Sequence, residues 1–175
     1  PGDAKGLLTT CILDDDPCVF VEQTMAYFVP GDTPVAADFA IPLGQAAVRR
    51  EGQDVTIISY GRQVGDALKA ASTLAEEGIS AEVIDLRSLV PLDIDAIRRS
   101  VEKTSRVLIA HEDKVHGGFG GEVASQIQEA AFPFLDAPIG RVGSTFTPVG
   151  FNRVLERAVL PNAEKVTEAA RKVLA

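Results

Sequence analysis

The chain has 175 residues, 46% of them hydrophobic, which is enough to bury one core, or one domain together with part of another. Its 25 acidic and 17 basic residues give a net charge of -8, so no face is expected to be positive enough for a nucleic-acid partner. No apolar run approaches the ~20 residues that a membrane span needs, and the first residues lack the pattern of a secretion signal. We therefore expect no membrane contact and a cytoplasmic location, or the mitochondrial matrix in a eukaryote.

The first 29 residues have the pattern of the end of a domain. Apolar residues recur at helical spacing between residues 3 and 13, and residues 18–21 predict a buried strand. One helix and one strand cannot enclose a core. Their free face is therefore expected to pack on the following domain or on a second copy of the chain, which predicts a homodimer. Cys11 and Cys18 lack metal-ligand spacing and are predicted to be buried free thiols.

Residues 30–45 have the composition of an extended linker, because they hold three prolines and few periodic apolar positions. The sequence therefore predicts three parts. Residues 1–29 are the end of one domain, residues 30–45 are the linker, and residues 46–175 form the second domain.

From residue 46 onward, short apolar runs alternate with amphipathic helical patterns. Strands are predicted at residues 55–60, 81–85, 106–111 and 139–142, and helices at 62–77, 93–103, 121–131 and after Pro161. Asp93 and Asn162 are expected to cap two of these helices, and Gly78 to end the first. Strands that are apolar throughout and separated by helices are typical of a mostly parallel sheet covered on both faces. The predicted fold is an α/β three-layer sandwich.

Ligands of such sheets usually lie beyond the carboxyl ends of the strands. Three groups of side chains follow predicted strands, namely Tyr60, Gly61 and Arg62; Asp85 and Arg87; and His111, Glu112 and Asp113. His111 beside Glu112 is one candidate for a proton-transfer pair, but neighbours on a strand point to opposite faces. The favoured interpretation is a hydrogen-bonding cluster that ties strand ends together, with Arg87 pairing to Glu112 or Asp85.

The glycine run HGGFGGE, residues 116–122, precedes a predicted helix and in that respect is similar to a phosphate loop. Glu122 argues against that function, because its carboxylate would already occupy the positive end of the helix. In addition, no Lys, Ser or Thr stands where a P-loop needs one. Close backbone packing or a subunit contact is the favoured interpretation.

Several motifs together resemble one family over essentially the whole chain. EVIDLRSLVPLDIDAI followed by SVEKTSRVLIAHED is similar to the carboxyl-terminal domain of the beta subunits of thiamine-dependent 2-oxo acid dehydrogenases, in the transketolase-like superfamily. CILDDDPCVFVE resembles the end of their pyrimidine-binding domain, and GGFGGEVASQIQE, LDAPIGRV and TPVGFNRVLERAVLP complete the series in order. CILDDDPC and HEDKVHGGFGGE are more similar to branched-chain members, or to bacterial relatives with fused alpha and beta parts, than to pyruvate members.

This resemblance implies a transketolase-like carboxyl-terminal domain preceded by a remnant of the pyrimidine-binding domain. It also implies a reaction in which thiamine diphosphate attacks a 2-oxo acid, carbon dioxide leaves, and the acyl group passes to a lipoyl group on a transacylase core. In similar enzymes the activating glutamate and the active-site histidine lie before anything that matches this chain, and the diphosphate and magnesium ligands lie in the alpha part. The resemblance therefore assigns no catalytic or cofactor-binding residue here.

The segment alone is accordingly expected to be inactive, and to serve assembly with the alpha subunit and docking of the lipoyl transacylase core. The alternative is a small-molecule or nucleotide-binding regulatory α/β module that uses the mixed polar side chains at the strand ends. Saturable binding to the isolated chain would favour that alternative.

The acidic run at residues 14–16 follows the first helix, where carboxylates are unfavourable beside unpaired carbonyls. From spacing alone, a solvated cluster is favoured over one that a cation offsets. In similar subunits the loop after this helix holds a potassium ion, largely through main-chain carbonyls and an aspartate, and the matching positions are Cys11, Asp14 and Asp16. The family commonly has asparagine at the position of Asp16, a difference that is expected to be harmless if this residue contributes a carbonyl.

Overall fold

The computed structural model of the protein describes residues 1–175. Its α-helices are α1 (Gly2–Leu13), α2 (Gln63–Glu76), α3 (Ile94–Thr104), α4 (Gly120–Ala131), α5 (Arg153–Val159) and α6 (Ala163–Leu174). Its strands are β1 (Ala47–Arg50), β2 (Val55–Ser59), β3 (Ala81–Asp85), β4 (Val107–Lys114) and β5 (Gly140–Ser144), and two short 3-10 helices span Thr24–Phe28 and Phe132–Phe134. None of the helices is both long enough and apolar enough to cross a membrane.

The five strands form one sheet in the order β1-β3-β2-β4-β5. Strands β2 to β5 run parallel, and only the short edge strand β1 runs antiparallel, against β3. Helices α2 and α6 cover one face of the sheet, and α3 and α4 cover the other, so that a separate apolar core lies on each side. The predicted α/β three-layer sandwich is confirmed.

Strand β2 shows why the sheet has two cores. Ile57 belongs to the core beneath α2 and α6, whereas Ile58 belongs to the core beneath α3 and α4, and both side chains are fully buried. Successive residues of a strand point to opposite faces, so a strand at the centre of a covered sheet buries every position. This explains why the segment Val55–Ser59 carries no charge at all.

Two helices begin where side-chain caps were predicted. Asp93 Oδ1 accepts from the amide of Ala96 at 3.0 Å, and Asn162 Oδ1 accepts from the amide of Lys165 at 3.0 Å. Each bond satisfies one of the amides that a first helical turn leaves unpaired. Asp93 also accepts from the amide of Ala46 through Oδ2 at 2.9 Å, so the same carboxylate ties the segment before β1 to the start of α3.

Helix α1 packs on the predicted linker. The amide of Ile41 donates to the carbonyl of Gly6 at 3.0 Å, and Lys5 Nζ donates to the carbonyl of Pro34 at 2.7 Å. A Cβ atom at position 6 would lie 2.5 Å from Ile41 Cγ1, so this close approach requires glycine. The first helix is therefore held against residues 34–41 of the predicted linker, whereas we expected it to pack on the following domain or on a second copy of the chain.

The strand predicted at residues 18–21 is wrong. These residues are extended but pair with no other strand, and the Val19 side chain is 91% exposed. A strand needs a partner for its backbone groups, and these residues form no backbone hydrogen bond with another segment. Cys11 and Cys18 are free thiols, as predicted, but both are only partly buried. The structure also contains β1 and α5, which the sequence patterns did not predict.

Candidate functional site

The carboxyl end of β2 lies beside the middle of β4 at the centre of the sheet, because Ser59 pairs with Ala110 and β4 continues to Lys114. From β2 the chain crosses to β3 on one side, and it then returns to β4 on the other side. Such a reversal of direction opens a crevice between neighbouring strand ends, and open α/β sheets usually bind their ligands there. Tyr60 and Arg62 follow β2 at this point, whereas His111 and Glu112 lie within β4, which continues to Lys114 and is three residues longer than predicted at this end. The predicted cluster at the strand ends is therefore brought together in part.

An ion pair closes the crevice. Arg62 Nε lies 3.3 Å from Glu112 Oε2, with both side chains about one-third exposed. The sequence prediction gave Glu112 a different partner, Arg87, but Arg87 follows β3, on the far side of β2 from β4. Arg62, which follows the neighbouring strand β2, pairs with Glu112 instead of Arg87.

Arg87 instead joins a group of four charged residues, which we call the Asp3 clamp: Asp3, Arg49, Asp85 and Arg87. Arg87 Nη2 donates to Asp3 Oδ1 at 2.8 Å, and Arg49 Nη2 donates to Asp85 Oδ2 at 2.8 Å. Arg49 also contacts Asp3. Of the predicted pairing between Arg87 and Asp85, only a backbone bond is present, from the amide of Arg87 to Asp85 Oδ1 at 3.1 Å. Burial, followed by the neighbouring Arg49, lowers the pKa of Arg87, and Asp85 opposes that shift.

His111 is fully buried, and neither ring nitrogen has a hydrogen-bond partner. Its imidazole lies parallel to the ring of Tyr60, with 6.2 Å between ring centroids. Burial is the main cause that lowers the pKa of His111; nearby Arg141 lowers it further, and Asp113 acts against them. Burial, and then Asp113, also raises the pKa of Tyr60 to about 12. Both rings are therefore neutral at pH 7.

The proton-transfer pair considered for His111 and Glu112 is not formed. The two side chains leave β4 on opposite faces, as alternation along a strand requires, and Glu112 reaches Arg62 instead. With no partner on either nitrogen, His111 has no group in this chain to which it could pass a proton. The arrangement around His111 is one of packing.

Glycines surround the His111 ring. A Cβ at Gly120 would overlap His111 Nε2, and Cβ atoms at Gly118 and Gly143 would lie 3.0 and 3.3 Å from His111 Cε1. The close backbone packing predicted for the glycine run is therefore present at Gly118 and Gly120. Glu122, which argued against a phosphate loop, is exposed, and its Oε1 accepts from Gln126 Nε2 at 2.9 Å.

The predicted potassium positions lie at and beyond the end of α1. Cys11 is in the last turn of the helix, and Asp14 Oδ1 accepts from the amide of Asp16 at 2.9 Å. No group of three or more histidine, cysteine, aspartate or glutamate side chains converges on a common point anywhere in the chain. A site that used main-chain carbonyls, as the resemblance implies, would not depend on such a group. Potassium binding at Cys11, Asp14 and Asp16 stays a prediction.

Comparison with known proteins agrees with this architecture. Residues 44–166 match the family described as transketolase, C-terminal domain. The chain belongs to the transketolase C-terminal domain family. The match begins just before β1 and extends into α6, so it takes in the whole sheet and the strand ends described above.

Relatives of this transketolase C-terminal domain include beta subunits from bacteria and animals. The chain is 45% identical to the pyruvate dehydrogenase E1 component subunit beta of Bacillus subtilis, over 99% of this chain and 53% of the relative. It is 44% identical to the acetoin:2,6-dichlorophenolindophenol oxidoreductase subunit beta of the same species, over 99% of this chain and 51% of the relative. The mitochondrial pyruvate dehydrogenase E1 component subunit beta of Caenorhabditis elegans is 44% identical, over 98% of this chain and 50% of the relative. The chain therefore spans about half the length of the curated relatives it matches.

Solved structures share the fold. A structure described as split gene transketolase, inactive beta4 tetramer, superposes with a TM-score of 0.66 at 34% identity, over 79% of this chain and 45% of that one. Transketolase of Pichia stipitis in complex with sedoheptulose-7-phosphate superposes with a TM-score of 0.52 at 16% identity, over 75% of this chain and 18% of that one, which is evidence for the fold alone.

The residues present do not form a site for thiamine diphosphate and magnesium. The sequence has no GDG-type motif, and Gly118 and Gly120, immediately before and at the start of α4, pack on His111 and leave no room there for a diphosphate. We derive no catalytic step through that cofactor from the residues of this chain.

Proposed function

We propose that this domain works as the carboxyl-terminal part of the decarboxylating component of a 2-oxo acid dehydrogenase complex. In that reaction a 2-oxo acid loses carbon dioxide and its acyl group is passed to a lipoyl group. The observation that supports this proposal is the 45% identity, across 99% of the chain, to a pyruvate dehydrogenase E1 component subunit beta. Pyruvate is one proposed substrate, and a branched-chain 2-oxo acid, which two sequence motifs favour, is the other.

Within that component we assign this segment to assembly and docking. Large apolar side chains are exposed in two places, near the amino terminus and around α5, and they include Ile12, Leu13, Val19, Phe28, Phe146, Phe151 and Val154. Apolar side chains that cluster in this way mark surfaces that other proteins cover. The proposed partners are an alpha subunit or alpha part, a second copy of the chain, and the lipoyl transacylase core.

The test is an activity assay of the intact protein with its alpha part, thiamine diphosphate and magnesium. The substrates are pyruvate, 3-methyl-2-oxobutanoate and acetoin, and 2,6-dichlorophenolindophenol accepts the electrons. We expect turnover of one of the 2-oxo acids. Turnover of acetoin alone would contradict the proposal and would favour the second candidate, an acetoin oxidoreductase, which the 44% identity to the Bacillus subtilis subunit supports.

A regulatory module for small molecules or nucleotides is the remaining candidate, and one observation favours it. Both side-chain amide atoms of Gln63 and the hydroxyl of Ser59 are buried without a partner at the carboxyl end of β2. Buried polar atoms cost stability unless they are paired, so a bound ligand would explain them. Titration of the chain with adenosine nucleotides, followed by calorimetry, tests this. Saturable heat that Gln63→Leu abolishes would support it, and the absence of heat would reject it.

A further inference from the structure

A cleft of about 460 Å³ lies between the loop that follows β4 and the carboxyl end of β5. It is separate from the crevice at the ends of β2 and β4. Its lining residues are Val115, His116, Gly117, Arg141, Gly143, Ser144, Thr145 and Phe146. No carboxylate is among them, although the chain as a whole has a net charge of -8. The lining of the cleft therefore carries a positive charge, from Arg141, on a protein that is negatively charged as a whole.

Hydrogen-bond donors in the cleft outnumber the acceptors that they contact. Arg141 Nη1 donates to the carbonyl of Val115 at 3.2 Å, and Arg141 forms no ion pair with any carboxylate. A guanidinium carries five N–H donors, so most of those on Arg141 stay free. The amides of His116 and Gly117 donate to no backbone carbonyl, and the Thr145 side chain is exposed. These residues come from two different segments and line one cleft.

The other charged residues near the cleft do not cancel the positive charge of Arg141. Lys114 Nζ donates to the carbonyl of Thr147 at 2.6 Å and adds a positive charge beside the cleft. Asp113 adds a negative one, but its Oδ1 accepts from the amide of Lys114 at 2.6 Å, and it does not line the cleft. Glu122 is turned along its own helix toward Gln126.

Two aromatic side chains, His116 and Phe146, form one side of the cleft. The His116 and Phe146 rings meet at a centroid distance of 4.7 Å and an interplanar angle of 64°. Phe146 is largely exposed, so its face is available to an apolar or ring-shaped part of a ligand. The added Cβ of Gly117 would meet no atom within 4 Å, so this part of the glycine loop borders open space, unlike Gly118 and Gly120.

We propose that this cleft binds the phosphate group of a small organic phosphate. A guanidinium fork and backbone amides are the donors that recognise oxyanions in proteins. A phosphate matches the cleft better than a carboxylate does, because its three free oxygens can accept from the arginine, the loop amides and the hydroxyl together. The organic part of the ligand then lies against Phe146. This inference is independent of the proposed catalytic function.

Amide-resolved NMR titration of the chain tests the proposal. The probes are inorganic phosphate and, separately, acetate, each at constant ionic strength and pH. We expect saturable shifts of the His116 and Gly117 amide resonances with phosphate, and about tenfold weaker binding of acetate. Arg141→Gln should weaken phosphate binding by at least about tenfold, because a charge-assisted fork is lost. Thr145→Val, which keeps the arginine and the loop, should weaken binding by a smaller factor.

Arg98→Gln is the matched control, since Arg98 is a half-exposed arginine on α3 that pairs with Glu102. It should bind phosphate as the wild type does. Shifts that never saturate, equal binding of acetate, or equal weakening in Arg98→Gln and Arg141→Gln would each overturn the proposal.

Discussion

Asp3 Oδ1 lies 2.8 Å from Arg87 Nη2, although 84 positions separate the two residues in sequence. The contact joins the first turn of α1 to the loop that follows β3. Arg49 contacts the other oxygen of Asp3 and also pairs with Asp85, so two acidic and two basic side chains balance one another. The orientation of the amino-terminal helix on the domain is therefore fixed by charge as well as by its packing on residues 34–41.

Replacing Asp3 with Asn should loosen α1 without unfolding the domain. The substitution removes one negative charge from the clamp and leaves Arg87 without its acidic partner on α1. Ion pairs with this degree of exposure contribute about 1 kcal/mol or less, so we expect a loss of free energy of unfolding of that order. Hydrogen exchange of the α1 amides should accelerate. Glu102→Gln, which removes the exposed pair with Arg98, is the control, and equal exchange in the two variants would show that the clamp does not hold the helix.

The clamp also contains contacts that no local pattern predicts. Asp85 was placed correctly as the last residue of β3 and Arg87 just after it, because the apolar run and the capped helix around them are local patterns. Their partners, Asp3 and Arg49, come from segments far away in sequence, and no local pattern connects them. Likewise, Glu112 pairs with whichever arginine follows the neighbouring strand, and strand order is a property of the whole sheet.

Lys103→Met should be strongly destabilising. Lys103 Nζ contacts Glu82, whose side chain is only 2% exposed and also accepts from the hydroxyl of Ser100. Removing the lysine leaves an uncompensated carboxylate in the core, which costs about 3–5 kcal/mol for fully buried pairs. We expect about 3 kcal/mol, because Lys103 is 30% exposed and water can partly replace it. Urea unfolding measures this value.

The double variant Glu82→Gln, Lys103→Met separates charge from packing. It removes both charges and keeps a hydrogen-bonding group near Ser100, so most of the lost stability should return. The hydrogen bond to Glu82 is the main cause that raises the pKa of Lys103. The stabilisation is therefore complete below the ordinary lysine pKa and is lost as pH rises through the raised value. Wild-type stability that stayed flat through this alkaline range would contradict the interaction.

His111→Phe should flatten the acid side of the stability profile. The pKa of His111 lies below its ordinary value of 6.5, so the unfolded chain takes up a proton that the folded chain does not. Wild-type stability is then complete above about pH 6.5 and falls as pH decreases from there toward the lowered folded pKa. Phenylalanine keeps a ring among the glycines and cannot titrate. His111→Asn loses the same titration but leaves polar atoms buried, so it should be less stable at every pH. A wild-type slope retained in both variants would assign the acid loss to other groups.

Potassium should stabilise this chain only weakly. Asp14 Oδ1 is already engaged by the amide of Asp16, and no group of three or more histidine, cysteine, aspartate or glutamate side chains is placed to hold a metal ion. Thermal melts in potassium and in tetramethylammonium at equal ionic strength provide the test, with Asp16→Asn as the matched variant. We expect nearly equal midpoints in both salts and for both proteins. A large potassium-specific stabilisation would show that the ligands present here suffice.

Four of the five strands were predictable, whereas the edge strand β1 was not. Val55–Ser59 and Ala81–Asp85 are buried runs whose composition alone identifies them as strands. The edge strand Ala47–Arg50 is half polar because only one side of it pairs, and the exposed helix Arg153–Val159 buries no side chain. The strand predicted at residues 18–21 was wrong for the opposite reason. Their apolar composition is typical of a strand, but they pair with no other segment. Burial of apolar side chains produces a recognisable sequence pattern, whereas the backbone pairing of a short strand with few buried side chains, such as β1, does not.

The last prediction is that the chain alone neither binds thiamine diphosphate with useful affinity nor turns over a 2-oxo acid. Gly118 and Gly120 pack against His111, Arg62 after β2 is paired with Glu112, and the net charge of -8 opposes binding of a diphosphate. Calorimetric titration with thiamine diphosphate and magnesium should show no saturable heat, and 2-oxo acid with an artificial acceptor should show no turnover. If the cleft at Arg141 binds phosphate groups, any weak heat should disappear in Arg141→Gln, whereas binding at a cofactor site should survive that change. Tight one-to-one binding that persists in Arg141→Gln would place a cofactor site in this domain, and the crevice beside Arg62 and His111 would then be its location.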